Sequence, residues 1–210
     1  MINIHFDKRL EDQLNFIIEI DKLKTILRQS LIFTGNEGGV NPDNLHFEND
    51  AEHSWTIAVM ALVLKEYVDF EVDLPHAIEM LLIHDIVEVD AGDVSVYSKE
   101  RANAHEKEVK AADRVFGMLG TEQKKYFIDL WNEFEEKKTN EAKFAGIFDR
   151  LEPLLQNYTA GGYTWKKWNV SYDMVVEKNI FIKEASEKLW QFALALLDDA
   201  VEKGYLSRAT

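Results

Sequence analysis

Three short polar segments interrupt apolar stretches of this 210-residue chain, and each carries side chains that can bind a metal ion. The first contains His53, the second the pair His84-Asp85, and the third the pair Asp149-Arg150. Burying an aspartate without a partner is costly, so each aspartate in an apolar run needs a cation or a donor nearby. Together His53, His84, Asp85 and Asp149 offer two nitrogen and two oxygen ligands. This set suits one divalent ion from among Mn²⁺, Co²⁺, Fe²⁺, Ni²⁺, Zn²⁺ and Mg²⁺, with water and substrate oxygens in the remaining positions.

Each of these residues also has an interpretation that involves no metal. His53 could cap a helix or lie at the surface. His84 could pair with Asp85 at a helix end, where the dipole favours a protonated imidazole. Asp149 and Arg150 could form a solvated ion pair. The joint pattern is far more specific than any single member, and it favours one shared metal site.

Helices are the elements that must bring these ligands together. The chain has only three prolines and ten glycines, and few of its stretches alternate with the period of two that is typical of a strand. Turn-rich segments at 34–50 and 160–172 predict loops. The chain is therefore predicted to be all-α, a single-domain helical bundle over residues 1–210. Apolar residues at helical spacing predict helices over about 7–33, 51–67, 73–88, 99–119, 122–137, 140–158 and 173–203.

The predicted helices can place the four ligands around one point. His84 and Asp85 are adjacent, so their side chains leave a helix about 100° apart. Both can lean toward a point that lies between their directions. His53 and Asp149, on two other predicted helices, would complete the site.

The joint pattern resembles the HD-domain phosphohydrolases, whose signature is a His, then a His-Asp pair, then a distant Asp, all on helices around one divalent metal. Three segments look like the branch of bacterial and eukaryotic 5′-deoxynucleotidases: NDAEHSWTIAVMALVL, MLLIHDIVEVDAGDV and LWNEFEEKKTNEAKFAGIFDRLEPLL. The resemblance covers residues 20–160 approximately and implies that His53, His84, Asp85 and Asp149 hold the metal. Residues from about 161 to 210 would then be a C-terminal helical extension that the family core does not explain.

The same branch implies two acidic residues that assist the reaction, and they match Glu88 and Asp93 in HDIVEVDAGD. Hydrolysis of a phosphomonoester needs an activated water near the metal and a proton for the leaving alkoxide, and two carboxylates can divide these tasks. Glu88 lies one turn after His84-Asp85 and can face the same site. Asp93 follows Gly92 in a loop that can fold back over the pocket. The alternative is a solvated acidic stretch, and the division of the two tasks stays open.

A phosphate substrate also needs a positively charged contact. The resemblance implies an arginine near the end of the first helix, which matches Arg28 in LKTILRQS. A guanidinium can bind two phosphate or sugar oxygens at once. The alternative is a solvated surface arginine. The family often has a tryptophan beside this arginine, whereas this chain has Gln29, so we expect base or sugar recognition to differ.

Composition limits the partners that the chain can have. A formal net charge of −14 argues against binding to nucleic-acid polymers or anionic membranes, because such binding needs a basic face. The N-terminus lacks the apolar core of a signal peptide, and the longest uncharged apolar stretch, residues 189–197, is too short to span a bilayer. The absence of cysteine fits a reducing cytoplasm, where we expect the protein to act.

These features lead to three functional hypotheses and one expected assembly. The leading hypothesis is a metal-dependent phosphohydrolase that removes phosphate from a nucleoside 5′-monophosphate, with deoxyribose as a family expectation, or from a similar small phosphate ester. The second is a phosphodiesterase or triphosphohydrolase of the same superfamily. Members with two metals generally need more histidines between the His-Asp pair and the last Asp, where this chain has only His105. The third is a non-catalytic nucleotide- or metal-binding regulator, against which Glu88 and Asp93 argue. A homodimer is expected, because the aromatic C-terminal half has apolar surface to cover.

Overall fold

The computed structural model describes residues 7–32, 46–94, 97 and 104–208. Capping side chains and apolar spacing divide these residues into mainly helical elements. Two short strands also occur in these ranges: β1 (Leu27–Leu31) and β2 (Phe47–Asn49). The α-helices are α1 (Lys8–Ile20), α2 (Asp50–Leu64), α3 (Leu74–Ile83), α4 (Glu88–Ala91), α5 (Ala104–Phe116), α6 (Thr121–Glu136), α7 (Asn140–Thr159), α8 (Tyr163–Lys167), α9 (Tyr172–Asn179), α10 (Phe181–Ala185) and α11 (Glu187–Glu202). Turns of 3₁₀ helix follow α1, α2 and α3 at Asp21–Thr25, Lys65–Tyr67 and His84–Val87. The prediction of an all-α fold is confirmed, with the two-stranded sheet as a minor addition.

Helix α7 lies at the centre of the fold and packs against α2, α3, α6, α10 and α11. Its sequence explains this position, because Phe144, Ile147, Phe148 and Leu151 are all buried. A helix with apolar residues on most of its circumference has to be surrounded by other elements. One contiguous core extends from α1 to the residues after α11, so the segment after residue 160 shares its core with the rest of the described chain.

The first predicted helix, over residues 7–33, is wrong in its second half. Helix α1 ends at Ile20. Arg28, which was expected near the end of this helix, lies in β1 instead. β1 pairs antiparallel with β2, and Leu31 lies opposite Phe47. The apolar residues of 23–31 fit a helical stripe, but pairing with a strand that comes later in the chain decides their conformation. Leu31 is buried in this pairing, whereas Leu27 is exposed.

Two predicted segments lie partly outside the described residues. Most of the loop predicted over 34–50 is among them, as are the first residues of the helix predicted over 99–119. The described end of the predicted loop forms β2 and the start of α2. In the range of the predicted helix over 99–119, α5 begins at Ala104.

The long last helix predicted over residues 173–203 is also wrong, because three helices, α9, α10 and α11, cover this range. Ser186 separates the last two. Its backbone is extended, its hydroxyl accepts a hydrogen bond from Leu189 N at 3.1 Å, and the same hydroxyl donates to the carbonyl of Tyr67. Serine competes with the helical backbone in this way and starts a new helix. The predicted loop before this range also contains a short helix, α8.

Among the described helices, none combines the length and the apolar content that crossing a membrane requires.

Candidate metal centre

A capping box at the start of α2 positions the first predicted ligand. The Asn49 side chain accepts a hydrogen bond from Glu52 N at 3.0 Å, and the Glu52 carboxylate accepts one from Asn49 N at 3.1 Å. This reciprocal pair fixes the first turn of the helix. His53 follows at once and is fully buried. Because β2 leads directly into α2, the same segment also buries Glu48 and Asp50 beside the site.

The second and third predicted ligands lie in a 3₁₀ turn. α3 ends at Ile83, and His84–Val87 continue in the tighter 3₁₀ conformation before α4 begins. The prediction had one continuous helix across this point. His84 Nδ1 lies 2.9 Å from the carbonyl oxygen of Leu81, which holds the imidazole in one orientation. Asp85 lies beside it, with Oδ1 at 3.0 Å from His84 Nε2.

Asp149 in α7 completes the group of predicted ligands. Its Oδ1 lies 3.4 Å from His53 Nε2 and 3.9 Å from His84 Nε2. The candidate ligand atoms of His53, His84 and Asp149 all lie within 4.8 Å of one another. With Asp85 in contact with His84, the structure brings all four sequence-predicted metal ligands together.

Hydrogen bonds at the far side of each imidazole leave Nε2 available to a metal. His53 Nδ1 lies 3.2 Å from Glu152 Oε2, and a neutral imidazole that donates there carries its lone pair on Nε2. His84 Nδ1 donates to Leu81 in the same way. Within the described residues, His84 Nε2 is buried and has no hydrogen-bond partner. An orphaned nitrogen next to carboxylates is costly unless a cation lies between them, so these residues fit a divalent metal.

The protonation of the ligands reflects their mutual attraction. Burial disfavours the charged form of Asp149, but a hydrogen bond with His53 and the charge of Arg150 hold its pKa well below the usual range. Burial acts on Asp85 in the same sense, and His84 and Arg28 lower its pKa in spite of this. Both carboxylates therefore stay ionised, as metal ligands must be.

His53 shows the opposite response. Burial and Arg28 disfavour its protonated form, but hydrogen bonds with Asp149, Glu152 and Glu48 raise its pKa well above the usual value. In the absence of a metal the imidazole would therefore keep a second proton, and that proton must leave when a cation binds to Nε2.

The two predicted helper carboxylates lie near the ligands in different environments. Glu88 begins α4 and is buried, and burial together with Asp85 and Asp50 raises its pKa to about 11. Asp93 is half-buried and follows Gly92, whose φ of +74° ends α4. That left-handed conformation, which suits glycine, turns the chain so that Asp93 also lines the cavity.

Arg28 reaches the site from β1. Its Nη1 donates to Asp85 Oδ2 at 2.8 Å and lies 3.4 Å from Asp50 Oδ1, and its Nε lies 3.6 Å from Glu48 Oε2. The guanidinium is therefore enclosed by three carboxylates. It orients Asp85, a predicted ligand, through a charge-assisted hydrogen bond.

A cavity of about 290 Å³ opens onto this group. Its lining includes Arg28, His84, Asp85, Glu88, Asp93 and Asp149, but not the buried His53. The lining also includes Tyr97, Trp131, Asn157, Thr164, Trp165 and Asn179. The segment after residue 160 thus supplies part of the cavity, which is large enough for a small organic ligand.

Sequence reasoning missed three buried carboxylates that support the ligands: Glu48, Asp50 and Glu152. Glu152 contacts His53, and Glu48 accepts a hydrogen bond from Gln156 Nε2 at 2.7 Å. Burial and Asp85 raise the pKa of Asp50 to about 7. Helical spacing could have revealed two of them, because residues three apart share one face of a helix. Asp50 lies three residues before His53, and Glu152 lies three residues after Asp149.

A second group of potential ligands includes two residues that line the cavity, Glu108 and Glu135. The side chains of His105, Glu108 and Glu135 offer atoms within 4.8 Å of one another. The His105 ring stacks on Trp131 and is largely exposed. Stacking on an aromatic ring at the surface is a sufficient structural reason for this histidine.

Comparison with known proteins supports the same chemistry. A family profile described as HD domain matches residues 20–190. The 5′-deoxynucleotidase HDDC2 of Dictyostelium discoideum is 31% identical over 155 residues, which are 71% of this chain and 77% of that protein. The human protein of the same name is 26% identical over 144 residues, covering 68% of this chain and 65% of its own length.

Two solved structures are also similar to this chain, to different degrees. A "Predicted metal-dependent phosphohydrolase" from Magnetospirillum magnetotacticum MS-1 is 45% identical, with a TM-score of 0.87 over 96% of this chain and 97% of that one. An HD-domain phosphohydrolase from Listeria innocua is 17% identical, with a TM-score of 0.57 over 92% of each chain, and shows likeness of fold alone.

Proposed function

This chain belongs to the HD domain family, and on that premise we propose that it is a divalent-metal-dependent phosphohydrolase that removes the phosphate from nucleoside 5′-monophosphates. One observation carries the proposal. Two buried imidazoles, each with Nδ1 in a hydrogen bond, direct Nε2 toward the same aspartate, Asp149, which lines the cavity. The names of the curated relatives, 5′-deoxynucleotidases, support the nucleotide as substrate class.

The metal would be held by His53, His84, Asp85 and Asp149. A divalent ion bound there would polarise the phosphoryl group and lower the pKa of a bound water. The nitrogen and oxygen donors suit Mn²⁺, Co²⁺, Fe²⁺, Ni²⁺ or Zn²⁺, with Mg²⁺ as a further candidate. Glu152 would keep His53 in the tautomer that this role requires.

Glu88 and Asp93 would divide the proton transfers. In the absence of a metal, burial together with Asp85 and Asp50 raises the pKa of Glu88 to about 11, which supports a role as the proton donor to the leaving 5′ oxygen. Asp93 would accept the proton of the attacking water while a new P–O bond forms and the P–O5′ bond breaks. The products would be a nucleoside and inorganic phosphate. One proton would have moved from the attacking water to Asp93, and another from Glu88 to the 5′ oxygen. Arg28 would orient Asp85 and offer its remaining N–H groups to substrate oxygens.

We also propose that the substrate is a free small molecule in the cytoplasm. The net charge of −14 disfavours polymeric nucleic acid and anionic membranes, and the absence of cysteine suits a reducing compartment.

A homodimer that pairs through one face of α2 completes the proposal. Trp55, Val59, Leu62 and Val63 are between 37% and 66% exposed, and their spacing puts them along one side of the helix. An exposed apolar stripe of this kind is typical of a subunit interface. In the C-terminal half, from which the dimer was expected, Trp165 is buried, whereas Trp168, Met174, Ile180 and Phe192 are between 40% and 52% exposed.

The test is phosphate release from a panel of ribo- and deoxyribonucleoside 5′-monophosphates by the wild type, Asp85→Ala and Asp90→Asn, each with Mn²⁺ or Co²⁺. Asp90 is the matched control, because it lies in the same segment but forms a surface ion pair with Arg114. We expect turnover by the wild type and Asp90→Asn and a loss of about 100-fold or more in Asp85→Ala, because a metal ligand is removed.

The same assay separates the alternatives. Release of pyrophosphate or triphosphate from nucleoside triphosphates, with monophosphates inert, would replace the proposal by a triphosphohydrolase. Tight nucleotide binding without turnover under any metal would replace it by a non-catalytic regulator.

A further inference from the structure

If the substrate is a phosphate monoester, the cavity needs more positive charge than Arg28 supplies. This inference rests on the proposed function. A phosphate monoester carries close to two negative charges at neutral pH. Arg28, the cation implied by the family resemblance, lies within 3.6 Å of Glu48, Asp50 and Asp85. Three carboxylates around one guanidinium leave little net positive charge for a substrate. Further cations at the cavity wall are therefore expected.

Two other positively charged side chains line the cavity among the described residues, Lys137 and Arg150. Arg150 is close to a ligand, with its Nε 4.0 Å from Asp149 Oδ2, and its charge helps to keep Asp149 ionised. Lys137 directly follows α6. It lies within one of the segments that carry the family resemblance, but the resemblance implies no role for it.

The backbone of Lys137 and the residues around its side chain hold it against the cavity wall. Its φ of 49° is left-handed and ends α6, which turns the side chain back along the helix. Its Nζ donates to the carbonyl oxygen of Phe134 at 3.1 Å and lies 3.7 Å from the centre of the Phe134 ring. The same ring is 4.7 Å from the imidazole ring of the predicted ligand His84. The ammonium and the metal centre are thus in contact with the same phenylalanine.

Gly146 in α7 leaves the space for this arrangement. A Cβ at this position would lie 3.3 Å from Lys137 Cε and 2.9 Å from a ring carbon of Phe181. The aliphatic part of Lys137 therefore packs over a glycine in the helix that also carries Asp149. Such packing restricts the stem and leaves the charged end at the cavity.

We propose that Lys137 is a substrate-binding residue that contacts the phosphoryl oxygens of the nucleotide. An ammonium is a compact point charge with three donors, which suits the rotating oxygens of a phosphate. Its position at the end of a helix also offers a purely structural role, because a lysine there stabilises the last carbonyl groups. The two roles differ in what they change: a structural lysine affects unfolding, whereas a substrate-binding lysine affects phosphate affinity.

The experiment compares the wild type with Lys137→Met, Lys137→Arg and Lys138→Met. Lys138→Met is the matched control, because Lys138 is the next residue, is 76% exposed and pairs with Glu136 at the surface. For each variant, calorimetry measures the binding of inorganic phosphate to the Co²⁺-loaded protein, steady-state kinetics give KM and kcat for a nucleoside 5′-monophosphate, and thermal unfolding gives Tm.

We expect Lys137→Met to weaken phosphate binding and to raise KM by about 10-fold or more, the usual effect of losing a charged hydrogen bond. The Tm should stay close to that of the wild type. Lys137→Arg should recover most of the affinity, and Lys138→Met should match the wild type.

Equal phosphate affinities for Lys137→Met and Lys138→Met would overturn the proposal, and so would a wild type that binds no phosphate. Lys137-dependent phosphate binding without hydrolysis of any nucleoside monophosphate would support the role of Lys137 and overturn the proposed function instead.

Discussion

At the scale of single residues, the site is defined by an excess of buried carboxylates over buried cations. The side chains of five carboxylates are buried, namely Glu48, Asp50, Asp85, Glu88 and Glu152. Three of them, Glu48, Asp50 and Asp85, surround Arg28. Buried like charges repel strongly in a medium of low polarity, so some of them must be protonated or balanced by a cation. In the absence of a metal, burial and the neighbouring carboxylates raise the pKa of Glu88 to about 11 and that of Asp50 to about 7, which favours their protonated forms. A divalent metal is the other source of balance.

The excess of buried carboxylates predicts that the free energy of unfolding depends on pH, and the substitution Glu88→Gln should remove this dependence. In the folded, metal-free protein burial and Asp85 raise the pKa of Glu88 from 4.5 to about 11. Between these values the folded state holds a proton that the unfolded state has lost, so the free energy of unfolding falls as pH rises. Urea denaturation of EDTA-treated protein at pH 5, 7 and 9 measures this slope. Relative to Glu88→Gln, the wild type should lose about 1 kcal/mol per pH unit.

Asp90→Asn serves as the control for this slope. It changes an acid two residues away that contacts Arg114 at the surface. Its curve should run parallel to that of the wild type. Parallel curves for the wild type and Glu88→Gln would show that Glu88 is ionised in the folded state, contrary to its proposed role as proton donor.

At the scale of elements, the site depends on places where a helix stops. His84 and Asp85 lie in the 3₁₀ turn between α3 and α4, and Arg28 lies in a strand that follows the end of α1. Some of these helix ends have a local cause, such as capping by a side chain. Others depend on residues far away in the sequence, such as the pairing of β1 with β2. The break at Ser186 has both, because its hydroxyl caps α11 and also donates to Tyr67, which follows α2.

We therefore expect Ser186→Ala to be more destabilising than the loss of an ordinary cap. Ser171 caps α9 by accepting a hydrogen bond from Met174 N at 3.3 Å and provides the comparison. Ser186→Ala should lower the free energy of unfolding by about 2 kcal/mol, and Ser171→Ala by about 1 kcal/mol. Urea denaturation at one pH measures both, and KM should change in neither. Equal losses would contradict a stabilising role for the Tyr67 contact.

At the scale of the whole molecule, one core joins the segments that carry the ligands, and the apolar surface that remains is unevenly distributed. α7 is buried by five helices and carries Asp149, so the position of this ligand depends on the entire core. By contrast, one side of α2 exposes Trp55, Leu62 and Val63, although the opposite side of the same helix buries His53. A helix that is apolar on both sides is typical of an element between a core and a partner.

The assembly prediction follows from this second apolar side. The wild type should have the mass of two chains by light scattering at micromolar concentration. Leu62→Lys should have the mass of one chain, because a charge would be buried in the contact. Phe192→Lys is the control, since Phe192 is 49% exposed on α11. A monomeric wild type, or a Leu62→Lys variant that stays dimeric, would exclude this face as the interface.

The sequence by itself determined the fold class, the helices that carry His53 and Asp149, and the residues that meet at the centre. These features follow from local rules: a helical period of apolar residues, and polar side chains that would be costly to bury without a shared cation. The side chains of His53, His84, Asp85 and Asp149 therefore could be named before their distances were known. Their assignment as ligands stays a proposal until a metal is bound to them.

Only the tertiary structure decided the conformation of residues 27–31, the breaks in the last predicted helix and the partners of Arg28. Leu31 fits a helical stripe or a strand equally well, and a strand that comes later in the chain selects between them. The significance of Glu48 and Lys137 lies in the residues that they approach on other elements, such as Arg28 for Glu48 and Gly146 for Lys137. Such approaches depend on how separate elements pack, and no local pattern of residues contains that information.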